Sequence, residues 1–214
     1  MPKTKSSERR APRPGNAAPQ PGRQLRPLGN DAGRPEPYSP SALDANRLGV
    51  LWSTLDRALS ATLGGDSSST AAMLAWLQHW APVGVVELAR VVGLTQPACT
   101  RALDKLVERG LVERTMLSGK DVRLALTPRG RAEARQLQRR RQQACAALLQ
   151  ALSADEQAQF ARLADKLLQA PVTDRAYART VCRFCDHAVC DGPACPIGCR
   201  ATALENAAAA GDAT

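Results

Sequence analysis

A chain of 214 residues with 29 Lys and Arg against 20 Asp and Glu carries a formal charge of +9, although charged residues make up only 23% of it. That length predicts one domain with tails, and the basic excess predicts a polyanionic partner, nucleic acid or an anionic surface. No apolar run of about 18 residues exists, which excludes a membrane-spanning helix. The basic start MPKTKSSERRAPRPG lacks the apolar stretch of a secretory signal, so a cytoplasmic protein with reduced thiols is expected.

Residues 1–40 hold nine of the fifteen prolines and eight Lys/Arg against three Asp/Glu. Their few apolar residues do not offset the entropy of ordering, which predicts a disordered basic tail. From Ser41 the pattern changes. Leu48, Leu51, Trp52, Leu55 and Leu59 recur at helical spacing and predict a helix over about 42–63. GGDSSST ends it and caps a second helix, AAMLAWLQHW, which Pro82 and Gly84 stop. VVELARVV is a short third helix closed by Gly93. Thr95 caps a fourth, QPACTRALDKLVER, in which Pro97 sits harmlessly in the first turn.

After Gly110 the period turns extended. LVERTML and VRLALT read as strands joined by SGKD. A long helix follows Pro128, and another opens at Ser153 and ends at Pro171.

The segment ELARVVGLTQPACTRALDKLVERGLVER has the logic of a helix-turn-helix. Leu88, Ala89 and Val92 face inward from the first helix, Gly93 makes the turn and Leu94 fills the corner. Cys99, Ala102, Leu103 and Leu106 form the inner face of the second helix. Its outer face, opened by Thr95, shows Gln96, Thr100, Arg101 and Lys105, groups suited to base edges and phosphates. The strand pair that follows makes the unit a winged helix, with Lys120 and Arg123 placing positive charge on the wing.

These residues resemble the MarR family of bacterial transcriptional regulators. The likeness is carried by ELA at 87–89, GLTQ at 93–96, TRALDKL at 100–106, RGLVER at 109–114, KDVR at 120–123 and LTPRG at 126–130. In that family the wing usually reads Asp-Arg-Arg. Asp121 and Arg123 match the outer positions and Val122 replaces the middle arginine. The resemblance implies a mainly α (α+β) fold, a winged helix-turn-helix domain with flanking dimerisation helices. It further implies that Arg123 enters the minor groove with Asp121 orienting it, and that a homodimer, a repressor of transcription, reads a palindromic stretch of double-stranded DNA. Leu148, Leu149, Leu152, Phe160, Leu163, Leu167 and Leu168 agree, being more apolar surface than one helix pair hides.

An enzyme is not expected. His79 and His187 lie far apart in sequence, and there is no phosphate loop or nucleophile elbow. Trp52, Trp76 and Trp80 read either as core aromatics or as the lining of a pocket for an aromatic effector.

Five of the seven cysteines fall within VCRFCDHAVCDGPACPIGCR, spaced C-x2-C-x4-C-x4-C-P-x2-C. In a reducing compartment such a cluster reads as a metal site before it reads as disulfides. Four thiolates close a tetrahedral zinc site or hold an iron–sulfur cluster. Some MarR relatives resemble this run, with CRxCD and a later CP. That match selects Cys182, Cys185, Cys190 and Cys195 as ligands and leaves Cys199 as a possible fifth. The expected division is then a tail over 1–40, the winged-helix and dimerisation domain over 41–171, the cysteine motif over 172–200 and a disordered tail over 201–214.

Overall fold

The computed structural model of the chain describes residues 40–118 and 121–211. The expected disorder of residues 1–39 and the position of Lys120 therefore lie outside the described residues. Two units follow one another, Met1–Asn46 and Arg47–Thr214. Of the first, only the opening turns of α1 (Pro40–Ser60) are described.

In the second unit a short turn, Ala61–Leu63, leads to Gly64 and Gly65, both at positive φ. α2 (Ser68–Trp80) follows, its first turn capped by the Ser67 hydroxyl, which accepts from the Thr70 N–H at 3.1 Å. Every residue from Ala71 to Leu77 is buried. A helix apolar on all sides belongs at the centre of a fold, and α2 is the axle on which the rest packs.

α3 (Val85–Val92) and α4 (Gln96–Glu108) lie against it, followed by β1 (Val112–Ser118) and β2 (Asp121–Leu126). The strands pair antiparallel, Val112 opposite Leu126 and Thr115 opposite Arg123, with a bulge between Met116 and Ser118. Val83 adds a bridge to this ribbon. Its N–H donates to the Leu124 carbonyl at 3.2 Å, and the Leu124 N–H donates back at 2.9 Å. One core runs through these elements: Met73, Trp76, Leu88, Cys99, Leu103, Leu106, Leu124 and Leu126 are all buried.

α5 (Pro128–Leu149) leaves the ribbon through a tight corner. The Thr127 hydroxyl accepts from the Gly130 N–H at 3.0 Å and donates to the Gly110 carbonyl at 2.7 Å. Gly130 is buried there because a β-carbon would stand 1.9 Å from the Leu111 carbonyl oxygen. The LTPRG stretch is thus a cap followed by a close backbone crossing. α6 (Ala154–Gln169) opens with a capping box in which Ser153 and Glu156 satisfy each other's backbone N–H groups. The hydrogen bonds from Ser153 hold the Glu156 carboxyl below its ordinary pKa.

The chain then departs from the sequence reading. α7 (Arg175–Val181) and α8 (Pro196–Gly211) frame the cysteines, so residues 201–211, expected to be disordered, are helical. The reason is physical. Ala has the highest helix propensity, and Ile197, Ala201 and Leu204 recur on one face that packs with Val172 and Ala178.

Candidate nucleic-acid interface and cysteine module

Gly93 closes α3 at φ 71°, in the left-handed region that favours glycine, and its N–H returns to the last carbonyls of the helix. The Leu94 N–H bonds the Ala89 carbonyl at 3.0 Å. Leu94 itself packs on the core, and Leu88, Ala89, Val91 and Val92 are buried beneath the turn. α4 buries Cys99, Leu103 and Leu106. Burial raises the Cys99 thiol to about 11, which suits a small core hydrophobe and not a reactive thiolate.

Seven of the eight predicted DNA-facing residues, all but Lys120, lie in described positions along this helix, its cap or the wing, where their roles separate. The Thr95 hydroxyl accepts from the Ala98 N–H at 3.4 Å, and the Thr100 hydroxyl donates to the Gln96 carbonyl at 2.9 Å. Both hydroxyls therefore serve α4 itself. Gln96, Arg101 and Lys105 are exposed along its outer side. On the wing, Asp121 grips Arg123. The Arg123 Nε and Nη2 donate to one carboxylate oxygen at 3.2 and 3.1 Å, and the Nε lies 3.0 Å from the other. Val122, in the place of the usual middle arginine, is exposed opposite Met116.

Two ion pairs that sequence reasoning missed set the frame. Arg114 of β1 holds Asp104 of α4 at 2.7 Å and so ties the wing to the outer helix. Arg109 holds Asp66 at 2.6 and 3.2 Å and ties the end of α4 to the turn before α2. Asp66 keeps the Arg109 guanidinium charged above its ordinary pKa. Asp104, Arg109 and Arg114 sit in charged stretches and Asp66 in the otherwise uncharged GGDSSST, and only the fold brings the partners together.

The cysteine module is built from tight turns. The Cys185 N–H returns to the Cys182 carbonyl at 2.8 Å, the Cys190 N–H to Asp186 at 2.9 Å and the Cys195 N–H to Gly192 at 3.1 Å. The thiols of Cys182, Cys185, Cys190 and Cys195 follow one another in contact: Cys182 beside Cys185, Cys185 beside Cys190, Cys190 beside Cys195. The hydrogen bond from Cys185 lowers the Cys182 thiol, that same bond raises Cys185, and burial pushes Cys190 up to about 12. Cys199 stands apart, exposed, its thiol directed at the Gly192 and Pro193 carbonyls at 3.4 and 3.9 Å. All seven cysteines are free. Among the described residues no group of three or more His, Cys, Asp or Glu is set to hold a metal ion as it stands.

The module docks on its own chain's helix-turn-helix. His187, distant from α2 in sequence, lies edge-on to Trp80 with its Nε2 3.3 Å from the indole N–H, and its ring centroid is 5.3 Å from that of His79. Gln142 of α5 donates to Asp186 at 2.9 Å, and Gln138 to the Phe184 carbonyl at 3.1 Å. Arg141 covers the Phe184 ring at 4.0 Å. Arg179 of α7 reaches Glu87 of α3 at 3.3 Å. A cavity of about 690 Å³ remains between the stacked Trp76 and Trp80 and the module's Arg175, Cys190 and Ile197. Trp52 is exposed on α1 and lines no part of it.

The model of the MarR family matches residues 67–118, from the cap of α2 to the end of β1. A MarR family protein from Bacillus stearothermophilus is 24% identical over 60% of this chain and 93% of its own, with a TM-score of 0.55. Residues 67–118 are a MarR-type segment. YusO from Bacillus subtilis is 25% identical over 62% of this chain and 99% of its own, TM-score 0.54. A mutant MarR from E. coli is 29% identical over 58% and 95%, TM-score 0.51. No curated protein matches at a significant level. The winged-helix fold and the MarR-type segment support a DNA-binding regulator of transcription. No helix among the described residues is long and apolar enough to cross a membrane. The cysteine module lies beyond the stretch that the MarR model matches.

Proposed function

We propose that this protein is a homodimeric repressor that reads a palindromic operator with α4 and the wing and is tuned from its C-terminal module. The observation that carries the reading is the pairing, on one rigid unit, of exposed Gln96, Arg101 and Lys105 with an Arg123 held in place by Asp121. Donors and charge on a recognition helix suit base edges in a major groove, and a held guanidinium on a wing suits an adjacent minor groove. The partner protomer follows from surface. Phe160, Leu163, Leu167 and Leu168 of α6, Leu148 of α5 and Leu51 and Trp52 of α1 are exposed in the single chain. A second copy covering them yields the two-fold symmetry that a palindrome matches.

Arg101, Lys105 and Arg123 give a dimer about six phosphate or groove cations, so the logarithm of affinity should fall with the logarithm of salt at a slope of about −5. Between low and physiological salt the loss is on the order of a thousandfold. Fluorescence anisotropy on the chain's own promoter region checks this, and a salt-independent affinity would contradict it. The cavity beside Trp76 and Trp80 supports a second reading, in which an aromatic ligand is the signal and the cysteines hold a structural zinc.

A further inference from the structure

We propose that the outer end of the wing meets the DNA minor groove through an apolar edge, Met116, Leu117 and Val122, so that part of the operator affinity does not depend on charge. The inference rests on the DNA-binding reading above and adds to it the residues and the kind of contact.

The register of the ribbon places this edge. Val122, Leu124 and Leu126 alternate along β2 and so share one face. Leu124 and Leu126 are buried in the core, whereas Val122 is 37% exposed, because the same face runs on past the core. Its partner across the ribbon is Met116, 69% exposed, and a bulge follows between Met116 and Ser118. Leu117 is the extra residue of that bulge, has no partner in the register and is 61% exposed. A bulge re-aims a side chain at the end of a ribbon. Single exposed apolar side chains are ordinary, but three adjoining ones on a strand pair mark a contact surface. Polar residues would serve the fold equally well at these positions, since none of the three supports the core.

Two features commit the edge to DNA. The first is continuity. Met116 and Val122 adjoin Thr115 and Arg123 in the ladder, and Arg123 is the guanidinium that Asp121 holds. Arg114, one further pair inward, ties the ribbon to Asp104 of α4, so edge and outer helix approach a duplex as one body. The second is charge. Residues 114–123 hold three Lys/Arg against one Asp. A basic frame around an apolar edge complements a polyanion and repels a second copy of itself.

The chemistry differs from that of the arginine. A cation on phosphate or in a groove gains by releasing counterions, so its share of the affinity fades with salt. An apolar side chain in a minor groove gains by leaving water, and it wedges most readily at pyrimidine–purine steps, which unstack at least cost. The edge therefore acts on the affinity that remains at high salt.

The test is fluorescence anisotropy of the full chain on its own promoter region across a salt series, with light scattering for the oligomeric state. Leu117→Ser and Met116→Ser should each weaken binding about tenfold, the effect of returning one apolar side chain to water, by the same factor at every salt concentration. Arg123→Ala should instead flatten the salt slope by about two for a dimer. Leu117→Met keeps an apolar group and should bind as the parent does. The edge is overturned if both serine variants bind like the parent, or if their loss comes with a flattened slope. It is equally overturned if they change the oligomeric state and leave DNA affinity untouched, which would give the edge to a second copy. A parent chain that binds no DNA at any salt would overturn the regulator reading itself, and this inference with it.

Discussion

Replacing Gly130 with alanine is expected to destabilise the fold by about 3 kcal/mol. At an ordinary helix position the same change gains about 1 kcal/mol, so the sign alone is informative. The added carbon meets the Leu111 carbonyl oxygen at 1.9 Å and its carbon at 2.8 Å, both backbone atoms with no rotamer to escape through. Moving that carbonyl breaks the bond it receives from the Thr127 N–H at 3.1 Å and disturbs the one the Leu111 N–H makes to Leu106 at 2.9 Å. Those bonds join α4, the wing and α5. A denaturant midpoint falling steeply in Gly130→Ala supports this crossing, and a midpoint equal to or above that of the parent chain would mean the crossing is looser than described.

Arg123→Ala is expected to weaken operator binding on the order of a hundredfold, from about 1–3 kcal/mol for each of two wings. Asp121→Ala separates two explanations. It removes a negative charge near DNA, so by charge alone it should tighten binding. If instead Asp121 serves to aim Arg123, as the contacts at 3.0 to 3.2 Å indicate, affinity should fall by about tenfold, the lower end of a groove contact. Thermal stability should barely change in either variant, because an exposed ion pair contributes at most about 1 kcal/mol. Anisotropy titrations at fixed salt measure both, and tighter binding by Asp121→Ala would leave the aiming role without support.

The winged helix was readable because its local signals agree with one another. Thr95, Gly93 and Gly110 mark ends that backbone geometry demands, and β1 begins at Val112, just past the Gly110 that follows α4. The same agreement among levels makes a sequence fold to one state. The C-terminal region lacked such agreement. PIGCRATALENAAAAG shows no charged-versus-apolar contrast, so it read as a tail although Ala-rich sequence is intrinsically helical and Ile197 and Ala201 find a small core. The docking of the module was illegible for another reason. His79 with His187, Glu87 with Arg179 and Gln142 with Asp186 are pairs that only the finished fold assembles. The module meets its own α2, α3 and α5 because those helices supply the matching aromatic, carboxylate and amide groups. Spacing offers five cysteines alike, and the fold turns Cys199 outward.

The central claim is that the outer side of α4 and the wing hold one DNA duplex. Incubating the intact chain with sheared genomic fragments at low ionic strength, metal-loaded and metal-stripped, and sequencing what it retains tests this most directly. The account predicts enrichment of a few fragments sharing inverted half-sites about 10 base pairs apart. Retention of nothing, in either state, would contradict it.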